Sequence, residues 1–152
     1  MRLLIAAVGR VKSGALADLQ SEYLKRLSGS IGITEVEERR TLSPTERKAR
    51  EAELLLAALP EDALIVALDE RGKTLASAAF AERVQRWRAE GVKTLAFVIG
   101  GADGLAQPVV QRARLSLSLG AMTWPHLLAR ILLLEQLYRA QQIVAGHPYH
   151  RE

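Results

Sequence analysis

The segment His147-Pro148-Tyr149-His150-Arg151-Glu152 carries two imidazoles, a phenol and a guanidinium around one rigid proline. Such a density of titratable and hydrogen-bonding groups suits proton transfer and the gripping of an anionic partner. Two readings are open from composition: a terminus placed over a site, or a polar fringe that keeps the preceding apolar helix in solution. Three further stretches offer binding chemistry. Asp69-Glu70-Arg71-Gly72-Lys73 follows Leu68, Gly100-Gly101-Ala102-Asp103-Gly104 follows Ile99, and Gly120-Ala121-Met122-Thr123-Trp124-Pro125 follows Leu119. Glycines straight after a strand let backbone approach a ligand closely, although ordinary turn chemistry would also place them there. The 100–104 stretch lacks G-x-G-x-x-G spacing, and no Walker loop is present. Met122 and Trp124 beside small residues could shape an apolar slot with free backbone groups, as a flat adenine ring needs, or simply plug the sheet end. His126, His147 and His150 have no metal-ligand spacing, and no G-x-S-x-G elbow marks a serine nucleophile.

The elements that must position these groups alternate almost from end to end. Apolar or partly alternating runs at 2–8, 31–37, 63–68, 94–99 and 115–119 read as strands. Helical periodicity covers 15–27, 77–90 and 125–145, with a short helix near Pro108. Ser43-Pro44-Thr45-Glu46 opens another helix, with Ser43 and Glu46 as a capping box and Pro44 at its first position. Strands that are apolar without alternation, separated by helices, predict an α/β fold: a mostly parallel sheet covered by helices on both faces, in one domain spanning 1–152. In such sheets ligands gather at the carboxyl ends of the strands, where the three loops lie. The last helix is apolar all round, so it should be covered all round: a homodimer packed through it is expected, and a monomer whose core the helix runs through is the other reading.

With hydrophobic residues at 49% and charged residues at 25%, the chain reads as globular rather than disordered. No cysteine is present, which removes disulfides, zinc-thiolate sites and thiol nucleophiles and fits a reducing cytoplasm. The apolar run after Met1-Arg2 is too short for a secretory signal, and Arg130, Glu135 and Arg139 interrupt the longest apolar stretch, so no membrane span is expected. A net charge of +4 suits an anionic partner without naming one.

Several motifs, in this order and spacing, closely resemble one family. They are Leu68-Asp69 with Gly72-Lys73, the run Phe97 to Leu105, Leu117-Ser118 with Met122-Thr123-Trp124-Pro125-His126, Glu135-Gln136-Leu137-Tyr138-Arg139-Ala140, and His147 to Glu152. The family is RlmH, the large-subunit ribosomal RNA methyltransferases H of the SPOUT class, and the likeness covers nearly the whole chain. The resemblance implies a C-terminal trefoil knot, a homodimer formed around it, and S-adenosylmethionine as methyl donor. It implies N3 of a pseudouridine in 23S rRNA of the ribosome, as 50S or 70S, as acceptor. Carried over by position, Leu68, Gly100 and Leu119-Gly120-Ala121-Met122-Thr123-Trp124 look like the donor pocket. Arg139, Tyr149, His150 and Arg151 look like the substrate-facing set, and neither a metal nor a membrane is implied. Trp124 stands where a smaller apolar residue is usual and Gly146 where asparagine is frequent. On this resemblance His150 is the candidate base or orienter, Tyr149 a stacking or hydrogen-bonding partner, and Arg139 and Arg151 candidates for oxyanion or phosphate contacts. The rivals are a non-catalytic RNA-binding module of the same fold and a nucleotide enzyme using the glycine turn for phosphate.

Overall fold

Strands apolar on both faces need cover on both faces, and the helices of this chain divide accordingly. The computed structural model describes residues 1–150, with only the backbone of His150. Its elements are β1 (Arg2–Val8), α1 (Ala15–Arg26), β2 (Ile31–Val36), α2 (Pro44–Ala57), β3 (Leu64–Thr74), α3 (Ser77–Ala89), β4 (Thr94–Ile99), α4 (Gln107–Arg112), β5 (Leu115–Ser118) and α5 (His126–Val144). A 3₁₀ turn, Pro148–His150, follows. The strands form one sheet in the order β2-β1-β4-β3-β5, each pair parallel. All carboxyl ends therefore lie along one edge.

Successive side chains of a strand point to opposite faces. Leu3, Ile5 and Ala7 join Phe80 and Trp87 of α3 and Leu133 and Leu134 of α5 in one core. Ala6 and Val8 join Ala52 and Leu55 of α2 and Val109 of α4 in the other. The parallel sheet with two helical layers expected from the strand pattern is what forms.

Two elements depart from their sequence reading. The first is β3, expected to end at Leu68 but continuing to Thr74. Leu68 pairs with Leu117, residues 69–72 leave the ladder, and Lys73 pairs with Leu117 again before Thr74 meets Ser118. The second is α5, whose all-round apolar surface finds most of its cover inside the chain. α1 and α3 pack along it, and Ile131, Leu133, Leu134 and Leu137 are buried. The helix periodicity therefore does not by itself require a second subunit. Among the described residues, no helix is long and apolar enough to cross a membrane.

Candidate active site

At the carboxyl edge of the sheet, the loops after β4 and β5 and the 69–72 excursion of β3 enclose a cleft of about 390 Å³. Leu68, Ile99, Leu117 and Leu119 give it apolar walls, and Asp69, Glu70 and Asp103 bring carboxylates to it. Of the residues expected in a donor pocket, Leu68, Gly100, Leu119, Gly120, Met122, Thr123 and Trp124 line this cleft. Ala121 is exposed in the same loop and is not part of the lining.

Local chemistry explains the shape. The glycine turn closes on itself, with the Gly104 amide donating to the Gly101 carbonyl at 3.1 Å. A Cβ on Gly100 would stand 2.6 Å from the Gly104 oxygen, so only glycine fits there. After β5, the Ser118 hydroxyl donates to the Gly120 carbonyl at 2.9 Å and turns the chain. Thr123 Oγ1 donates to Glu70 Oε2 at 3.2 Å, tying two walls together across the mouth. Met122 is 75% exposed and Trp124 40%, so the mouth presents apolar surface.

The start of α5 is fixed to this edge by a buried charge. Arg130 is fully buried, pairs with Glu35, and donates to the Gly9 carbonyl at 3.0 Å and to Gln20 Oε1 at 3.3 Å. Burial pushes the Glu35 carboxyl up, but the Val11 amide and the Arg130 guanidinium outweigh it and hold it below the usual range. His126, which lines the cleft, is pushed down by burial and by the Arg130 cation, leaving a neutral imidazole at neutral pH.

Arg139 and Tyr149 form a second cluster. Glu135 Oε1 accepts from Arg139 Nε at 3.0 Å and Nη2 at 2.7 Å, and from the Tyr149 hydroxyl at 3.2 Å. The Arg139 guanidinium lies 5.0 Å from the Tyr149 ring centre, and Tyr138 meets that ring edge-on at 4.8 Å. Burial, then the Glu135 charge, pushes the Tyr149 phenol up to about 12. Glu135 is not among the site residues expected from the sequence, although a Glu four places before an Arg on a helix signals such a pair.

Within one chain these two clusters stand apart. α5 starts at the carboxyl edge, where a Cβ on Gly9 would touch His126 Nε2 at 2.9 Å. It ends toward the amino edge, where Gln141 exchanges hydrogen bonds with the Ser28 backbone just before β2. Arg139 follows Ala129, a cleft residue, by ten positions, about 15 Å of helix. The His150 side chain and Arg151 lie outside the described residues.

Residues 1–150 match the family model described as "Predicted SPOUT methyltransferase". The chain is 57% identical over 151 residues to a protein of Paramagnetospirillum magneticum named Ribosomal RNA large subunit methyltransferase H, with 99% of each chain covered. A protein of the same name from Rhodospirillum centenum is also 57% identical over 151 residues, again covering 99% of both. The chain belongs to the RlmH family. Among solved structures, it is similar to a probable methylase family protein from Haemophilus influenzae Rd KW20, with a TM-score of 0.61 and 14% identity over 99% of this chain and 70% of that one. That likeness concerns the fold. RlmH membership agrees with the resemblance carried by the strand-end loops, the Glu135–Ala140 stretch and the closing segment.

Proposed function

We propose that this RlmH chain is an S-adenosylmethionine-dependent rRNA methyltransferase acting on N3 of a pseudouridine in 23S rRNA of the ribosome. The observation that carries this reading is the strand-edge cleft, built from Leu68, Gly100 and the 119–124 loop in a chain of this family. Its donor set fits the sulfonium donor. Leu68, Ile99, Leu117 and Leu119 suit an adenine ring, the glycine turn brings backbone close, and Asp69, Glu70 and Asp103 complement ribose hydroxyls and positive charge. When bound, the donor supplies an electrophilic methyl group.

The remaining work falls to the chain. An imide N3 carries a proton that must leave before or during attack, so a base near neutral pKa is required. His150 is the residue proposed for it. Tyr149 stays a neutral phenol and serves as stacking surface and hydrogen-bond donor. Arg139, steadied by Glu135, is the residue proposed to hold the base oxygen or a phosphate. Because this cluster is remote from the cleft in one chain, a complete site takes the cleft from one protomer and Arg139, Tyr149, His150 and Arg151 from its partner. The homodimer is thus part of the proposal, as is the trefoil knot implied by the family. A ribosomal substrate favours a cytoplasmic setting.

The test is incubation of purified protein and labelled S-adenosylmethionine with ribosomes, followed by mass spectrometry of the 23S rRNA. One added methyl on pseudouridine is expected. No transfer, or transfer to another position, overturns the substrate assignment. His150→Ala is expected to lose turnover while still binding the donor.

A further inference from the structure

Glu51 lies on the buried face of α2, only 6% exposed. Its carboxylate oxygens lie 3.1 and 3.2 Å from where a Cβ on Gly101 would stand, and Val8 Cγ1 lies 3.0 Å from that point. The carboxylate therefore lies directly against the backbone of the glycine turn at Gly101. One turn earlier on α2, Arg47 pairs with Asp103 at 4.0 Å. The helix therefore grips the glycine turn at two points, while Glu51 itself lies outside the cleft lining.

A buried carboxylate is costly, and this one is poorly compensated. Its Oε2 has no hydrogen-bond partner among the described residues. Burial first, then the nearby Asp103 charge, disfavours ionisation, and Arg47 only partly offsets them. The fold alone would be served as well by an uncharged side chain of similar size. What the carboxylate adds is a polar group pressed against the backbone of Gly101, the residue next to Gly100 in the cleft wall.

We propose that Glu51 is a positioning residue of the donor site. From behind the wall, its carboxylate and the Arg47–Asp103 pair hold residues 100–104 in the shape that receives the donor. The inference rests on the cleft being the S-adenosylmethionine site.

The experiment compares full-length wild type with Glu51→Gln, which keeps the shape and removes the charge. Donor affinity is measured by calorimetry, fold stability by thermal unfolding, and methyl transfer to ribosomes by initial rates. Glu51→Gln is expected to bind S-adenosylmethionine about tenfold more weakly, with KM for the donor rising in step. The kcat at saturating donor and the unfolding temperature should stay level, or the temperature should rise. Glu51→Leu, which removes the acceptor as well, should bind more weakly still; if it does not fold, Glu51→Gln decides alone. Unchanged affinity in Glu51→Gln overturns the proposal, and so does weakened affinity with a matching fall in unfolding temperature. Wild type that fails to bind the donor removes the donor-site reading and this inference together. Wild type that binds beside an equal variant removes this inference only.

Discussion

Tyr149 shows how a single environment assigns a role. A phenol held at about 12 cannot act as a base at neutral pH, so its contribution must come from the ring and the hydroxyl donor. Tyr149→Phe should keep the ring contacts with Tyr138 and Arg139 and lose the hydroxyl's bond to Glu135. Initial rates should fall about tenfold with donor affinity unchanged. Its folded pKa lies above the ordinary 10.0, so its share of stability is full below 10.0 and is lost as pH rises through about 12. Glu38 has the opposite sign. Its bonds to the Arg40 side chain and amide, and then the Arg50 charge, hold it at about 2 against an ordinary 4.5. That stabilisation is full above 4.5 and lost as pH falls through about 2, so Glu38→Gln should flatten this part of the acid transition followed by circular dichroism. Gly100 and Leu68 were legible in the sequence because strand ends are where ligands gather. Glu35 and Arg130 were not, because their meeting depends on β2 and α5 being brought together across 95 positions.

At the scale of elements, local rules read well and non-local ones poorly. The capping box of α2 was legible because its partners sit three residues apart: Ser43 Oγ accepts from the Glu46 amide at 3.2 Å, and Glu46 Oε2 accepts from the Ser43 amide at 3.1 Å. Ser43→Ala should cost about 1 kcal/mol in urea unfolding. The re-entry of β3 was hidden, since residues 69–74 are polar and rejoin the sheet only because β5 is there to receive them. The anchoring of α5 was hidden likewise. Arg130→Ala leaves Glu35 without its main partner and should cost about 3 kcal/mol in the same assay. Glu35→Gln in that background should recover part of the loss, because it removes the stranded charge.

For the whole molecule, the alternation of strands and helices was enough to give a parallel sheet with two covered faces, but not the order β2-β1-β4-β3-β5. That order follows from crossovers that no single segment encodes. It sets the cleft and the Arg139–Tyr149 cluster at different ends of α5, which motivates a complementation test. Gly100→Ala, crowded against the Gly104 oxygen, and Arg139→Ala should each be inactive alone. Mixed and allowed to exchange protomers, the two should regain methyl transfer, through pairs that hold one intact cleft opposite one intact arginine cluster. Continued inactivity, with exchange verified by mass spectrometry, would argue for sites confined to single chains. The double meeting of β3 with Leu117 has one more consequence, for tolerance to change in length. Pairing on either side of residues 69–72 refers to the same partner residue, so the excursion is spliced into the sheet without advancing its phase. Extra residues between Glu70 and Arg71 would lengthen one lip of the cleft and leave the strands in step. A side chain at Gly72 is another matter, because its Cβ would come within 2.5 Å of the Ser116 backbone and prise the splice open.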